Sequence, residues 1–253
     1  MIVNSAAWDN YIAALRKVNN TASEKMAAYL KSHDLTTKPG LYDALDYAFA
    51  LATKYGEAAA ELACQMYDAL GLAEGMTLAP AVPAETATYS EVAETVRGTM
   101  KYSSDTEVVA SSVGRLVKLA GVDTTMQNAL RDGAEWAWIP HGETCAFCIM
   151  LASNGWQRAS KKAIKGGHAE HIHANCDCTY AIRFNPTTEV EGYNDGAEYR
   201  EIYDNAEGRG MQKLNSMRRE FYARNREVIN AQKRDAYEKR KEREAPAAEE
   251  LDV

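Results

Sequence analysis

Residues 41–70 read LYDALDYAFALATKYGEAAAELACQMYDAL, and this stretch decides the fold. Apolar side chains recur at Leu41, Leu45, Ala48, Ala52, Tyr55, Ala59, Leu62, Met66 and Leu70, in steps that alternate four and three as far as Met66. That spacing predicts a helix with one continuous apolar seam, and such a seam needs a partner helix. The nearest partner lies upstream. Residues 5–31 place Trp8, Tyr11, Ile12, Leu15, Val18, Ala22 and Met26 at helical intervals. The intervening SHDLTTKPG contains Pro39-Gly40, read as the turn between them. Residues 1–72 are therefore expected to form an αα-hairpin. Its aromatics are read as core, and the isolated Cys64 as a small buried hydrophobe.

Downstream, residues 73–87 (AEGMTLAPAVPAETA) carry two prolines and little charge, the composition of a linker or hinge loop. A helical segment over 88–140 follows. Three capping-box patterns, Thr88-x-x-Glu91, Ser104-x-x-Glu107 and Thr124-x-x-Gln127, predict three helix starts. The last of these is expected to run through Glu135-Trp136-Ala137-Trp138-Ile139 and stop at Pro140. Residues 179–184 (TYAIRF) alternate and read as a short strand. Residues 186–244 read as a C-terminal helical region, with helices over 197–207 and 211–244 and the latter increasingly charged. Residues 245–253 (APAAEELDV) read as a disordered acidic tail. The expected class is mainly α: a helical N-terminal region, a small α+β zinc-knuckle module with short strands, and a long charged C-terminal helix.

Composition narrows the function classes. The 253-residue chain is 46% hydrophobic and 26% charged, ordinary for a globular protein. No apolar run approaches the roughly 20 residues of a spanning helix, so no membrane partner is expected. MIVNSAAWDN lacks the basic start and apolar stretch of a signal peptide. The net charge of -7 argues against a whole-chain nucleic-acid binder, but it is unevenly spread. Residues 1–140 hold 11 basic and 17 acidic side chains, whereas residues 211–244 hold 11 basic and 6 acidic.

Four of the five cysteines, Cys145, Cys148, Cys176 and Cys178, fall within 34 residues, with four of the five histidines in or beside that window. The pattern is Cys145-Ala-Phe-Cys148, then His173-Ala-Asn-Cys176-Asp-Cys178. A CxxC pair brings two thiolates to one ion from a tight turn, and a second pair from a distant segment closes a tetrahedron. Thiolate-rich ligation selects Zn²⁺ over harder cations. Cys145, Cys148 and Cys176 are the expected ligands, with either His173 or Cys178 as the fourth. Three rivals compete: a redox CxxC, which lacks a surrounding βαβ pattern; disulfides, which require an oxidising setting; and a catalytic zinc. His168-Ala-Glu170 resembles the HxE of zinc deaminases, but no Pro-Cys-x-x-Cys follows it. A zinc nuclease could use His168, His171 or Glu170 as its base, although a closed thiolate set leaves no open coordination position. Between the two halves, Arg158, Lys161, Lys162 and Lys165 form a basic insert that could meet phosphates.

The stretch Pro140-His141-Gly142-Glu143-Thr144-Cys145-Ala146-Phe147-Cys148, the Gly155-Trp156 step and His173-Ala-Asn-Cys176-Asp-Cys178 together resemble the phage Mu F-like minor head proteins, also described as minor capsid or head-morphogenesis proteins. The resemblance covers roughly residues 125–185. In that family the position before the last cysteine is usually Arg, and here it is Asp177, which removes a basic side chain. The resemblance implies a structural, non-enzymatic protein inside the virion head near the portal. It would bind portal, capsid or scaffold proteins and assist assembly or the passage of DNA. DNA contact through the basic insert and tail, and a zinc-dependent nuclease, are the further readings carried forward.

Overall fold

A computed structural model describes residues 5–139, 146–160, 179–190 and 196–224, with scattered positions between 226 and 238. Among them run seven helices and three strands: α1 Ser5–Ser32, α2 Lys38–Ala73, α3 Tyr89–Tyr102, α4 Thr106–Asp132, β1 Glu135–Ile139, α5 Ala146–Ala152, β2 Gln157–Arg158, β3 Thr179–Arg183, α6 Gly196–Asn205 and α7 Met211–Arg224. Among the described residues, no helix is long and apolar enough to cross a membrane.

The α2 seam is present. Leu45, Ala48, Ala52, Ala59 and Leu70 are all buried. The helix begins earlier than its seam suggests, because Pro39 stands in its first turn instead of in a connecting turn. Proline loses nothing there, since the first-turn N–H groups have no helical partner. Thr37 caps it by accepting from the Gly40 N–H.

The α1–α2 pair does not close on itself. Helix α4 lies against both and also receives α3. Small residues set how near the three helices come. A methyl group built on Gly121 would stand 3.2 Å from the Ala59 carbonyl oxygen of α2, and one on Gly114 would overlap the Ser23 hydroxyl of α1. One cluster gathers Met26, Leu30, Leu45, Ala48, Val92, Val96, Val109 and Val113 from all four helices.

Two helices occupy 88–132 where three were expected. The Thr88/Glu91 capping box is intact. The second start shifts by one residue: Asp105, not Ser104, caps α4, its carboxylate accepting from the Glu107 N–H. The third start is absent. The Thr124 hydroxyl donates to the Ala120 carbonyl one turn back and accepts the Ala84 N–H, so it is occupied inside a continuous helix. Helix α4 ends at Gly133, whose φ of 68° is a left-handed cap that glycine adopts without steric cost. The chain then runs straight into a strand, so Glu135–Ile139 is β1 and not a helix terminus.

Residues 79–84, expected within a linker or hinge loop, are strapped along α4. The Asn128 amide pairs with Val82 as a neighbouring strand would, accepting its N–H and donating to its carbonyl. The Gln127 amide donates to the same carbonyl, and the Arg131 guanidinium donates to the carbonyls of Ala79 and Pro80.

The sheet is small, with order β2-β1-β3 and both pairs antiparallel. The register runs from Glu135↔Arg183 to Ile139↔Thr179. The expected strand over 179–184 is thus observed, and its partner is the tryptophan-bearing segment. Helices α6 and α7 pack on α5 through Leu214, Met217, Ala206 and Ile149. Of the expected helix over 211–244, α7 accounts for Met211–Arg224, and the described positions from 226 to 238 are also helical. The acidic segment 245–253 lies outside the described residues.

Two outcomes follow from these contacts. Asn128 is 2% exposed, and Asn128→Ala leaves the Val82 N–H without its acceptor, while the Val82 carbonyl keeps the Gln127 amide. The expected loss is about 1–3 kcal/mol in urea unfolding, together with faster proteolysis within 76–84. The Arg131 guanidinium and the Tyr67 hydroxyl both donate to Asp132, and they hold its carboxyl below the usual carboxylate range. A depressed native pKa contributes stability above the unfolded value that is lost as pH falls through the native one. Asp132→Asn is therefore expected to destabilise at neutral pH, with the gap to wild type narrowing below about pH 4.

Candidate metal centre

Cys148 sits on the short helix α5 and is 1% exposed. Its cluster joins Leu151 and Ala152 of α5 to Trp136, Trp138 and Ile139 of β1, Tyr180 and Ile182 of β3, and Tyr67 and Met126 of the helical body. The thiol is thereby built into the main core instead of a surface turn. Cys145, His173, Cys176 and Cys178 lie outside the described residues. So do Lys161, Lys162, Lys165, His168, Glu170 and His171. Arg158 is described: it is exposed on β2, opposite Glu135.

The described elements fix where the two halves of the cysteine pattern join the fold. Cys145 directly precedes the first residue of α5, and Cys178 directly precedes the first residue of β3. β3 pairs with β1, and α5 packs on β1. The described elements that adjoin the two candidate ligand segments therefore meet on one small sheet.

Cys148 is the one donor of the expected set that the described residues place, and among them no group of three or more His, Cys, Asp or Glu side chains is arranged to hold a metal ion. A second observation concerns Trp138, which is 3% exposed and stacks on Tyr180, with ring centroids 6.2 Å apart. Its indole N–H has no hydrogen-bond partner among the described residues.

Side chains that the sequence reading did not single out hold this module to the helical body. The Tyr180 hydroxyl donates to the Gly121 carbonyl of α4. Burial pushes the phenols of Tyr11 of α1 and of Tyr180 well above their ordinary range, a rise that Thr125 beside them partly offsets. Glu74, just past α2, accepts from the N–H groups of Phe184 and Asn185 and from the Thr188 hydroxyl. At the far end of the ladder, Arg183 pairs with Glu135 at 2.7 Å and lies over the Trp156 ring at 4.3 Å. The Gly155-Trp156 step is thus part of the sheet's edge, with Gly155 at φ 63° making the turn. The Glu135/Arg183 pairing was in principle legible from the alternation of two facing strands, but only once 135–139 was read as a strand. Nothing near Glu74 in the sequence announces its role, because its partners lie over 100 residues away.

With this geometry in place, comparison with known proteins gives one match: the family described as VG15 protein matches residues 2–206. No curated protein and no solved structure matches the chain.

The clamp made by Glu74 is open to test. Glu74→Ala removes three acceptor contacts that are partly screened by solvent, for a combined loss of roughly 1–2 kcal/mol. Amide exchange at Phe184 and Asn185 is expected to speed up about tenfold, while the α2 amides keep their protection.

Proposed function

The chain belongs to the VG15 protein family, which makes it a phage protein, and from that premise we propose that it is a structural minor head protein of a tailed phage or prophage, stapled by zinc. It works inside the head, near the portal, in assembly and in the packaging or ejection of DNA. Its partners are portal, capsid or scaffold proteins. The observation that carries this reading is the placement of Cys148 in the core shared by the helical body and the small sheet. A metal bound there joins distant chain segments, which is the work of a structural zinc. The family match supports the same view, since it spans the helical body and the cysteine module as one unit. The narrower Mu F-like resemblance rests on the motif alone and belongs to this proposal.

Cys145, Cys148 and Cys176 would hold the ion, with His173 or Cys178 completing the set. Zinc would supply cross-linking and no reaction step. The basic residues Arg158, Lys161, Lys162 and Lys165 and the basic C-terminal segment would face an acidic partner, with DNA the natural one.

Metal analysis of the full chain purified without chelators is expected to give about one zinc per chain. Cys148→Ser is expected to lose that zinc and lower the unfolding midpoint. A metal-free wild type sinks the zinc part of the proposal. Recovery of portal or capsid proteins with the tagged chain from infected cells checks the assembly part, and repeated failure removes it. DNA cleavage by the wild type that His168→Ala abolishes would replace the structural reading with a nuclease.

A further inference from the structure

The exposed side of α2 and the chain that leads from the strap into α3 enclose a groove of about 670 Å³. Phe49, Ala60 and Ala84, buried or half-buried, give it an apolar floor, and the exposed Glu57, Glu61 and Glu85 give it an acidic rim. A second groove, of about 370 Å³, shares the wall from Glu85 to Thr88. Leu116 and Leu119 of α4 line it together with Glu94 of α3. The shared wall is fixed in place. Thr86 packs on Gly56 of α2, where an added methyl group would come within 2.9 Å of its side chain. Both grooves are therefore built into the fold and need no rearrangement to form.

Charge on this face is one-sided. Between Lys38 and Ala73, α2 carries five acidic and two basic side chains. Among the described residues no Lys or Arg lines the larger groove, and Arg115 is the one cation lining the smaller. Neither Glu57 nor Glu85 makes an ion pair with the described residues. An apolar floor beneath a carboxylate rim suits one chemistry. Lysine and arginine lay their aliphatic stems on apolar surface while their charged ends reach outward. A phosphate backbone or an anionic lipid surface would meet like charge here and be repelled.

We propose that this face docks a lysine- or arginine-bearing segment of a protein other than this chain, its aliphatic stems in the groove and its cations against Glu57, Glu61 and Glu85. Opposite charge guides the approach and sets the register, and packing on Phe49 holds the bound segment. The groove residues lie outside the cysteine module, so this docking is independent of any metal.

The probe is a fluorescein-labelled peptide of lysines interspersed with leucines, titrated into the full chain at roughly 0.1 M salt, beside a matched peptide with glutamate in place of lysine. Saturable binding of the lysine peptide alone is expected, weaker by at least about tenfold at roughly 1 M salt, where the screening length falls to about 3 Å. Glu57→Lys with Glu85→Lys is expected to weaken binding by about tenfold, and the milder Glu57→Gln with Glu85→Gln by about threefold. Glu24→Lys with Asp43→Lys changes the net charge as much as the first pair but outside the groove, and is expected to keep the affinity within about twofold. Failure of the lysine peptide to bind overturns the proposal. So does equal weakening by the two lysine pairs, because the peptide then senses net charge and not the groove. Equal binding of the glutamate peptide overturns it as well. Self-association of the full chain in sedimentation that the groove substitutions abolish gives the groove to a second copy, and likewise overturns it. Circular dichroism and unfolding of each variant separate loss of contact from loss of fold.

Discussion

Helix α4 is the surface on which the rest of this protein is assembled, and the constraint it imposes is distance. Helices pack with axes about 8–10 Å apart depending on the side chains between them. Here Gly114, Gly121 and neighbouring alanines bring α1 and α2 close on α4. That approach leaves α4 buried on several faces, so several of its polar residues are shut off from water. Thr124, Thr125 and Asn128 are all buried, and each is satisfied by a specific neighbour. Thr124 and Asn128 also bond the backbone of the strap, and the Tyr180 hydroxyl of β3 donates to the Gly121 carbonyl of α4. The close packing thus generates the polar contacts that order the remainder of the chain.

The same constraint explains what the sequence revealed and what it hid. α1 and α2 were legible because each presents one apolar stripe to its neighbours. α4 was not, because a helix buried on several faces loses its amphipathic period, and Ser112, Lys118, Thr124 and Asn128 interrupt the apolar pattern. Two of the three capping patterns then suggested helix starts that the fold does not use, since Asp105 lies one residue closer to the helix and Thr124 is already bonded. Trp136 and Trp138 were read as helical although aromatic alternation is equally a strand signal. Gly133 was the local cue that separates the two readings. Within the candidate metal centre, the cysteine spacing was visible from sequence, and Cys148 is the member that the described residues place. Glu74 and Tyr180 were invisible because their contacts join segments remote in the chain.

The module and the helical body share one hydrophobic cluster, so they form a single mechanical unit. A metal holding the cysteine segments would act on that unit and not on an appended knuckle. Trp138 and Cys148 lie within it, and any loss of packing there reaches α2 and α4 directly through Tyr67 and Met126.

The strap over residues 79–84 has a consequence of another kind. Its backbone is read by side chains at Thr124, Gln127, Asn128 and Arg131, which lie on successive turns along one side of α4. α4 therefore works as a ruler with fixed marks, and the strap must meet each mark at a set residue. Adding or deleting one residue between Pro80 and Ala84 would put the contacts on either side of it out of step with α4, although the segment has the composition of a tolerant loop. Chain length in this stretch is specified as tightly as in a strand, by a helix that pairs with it through its side chains.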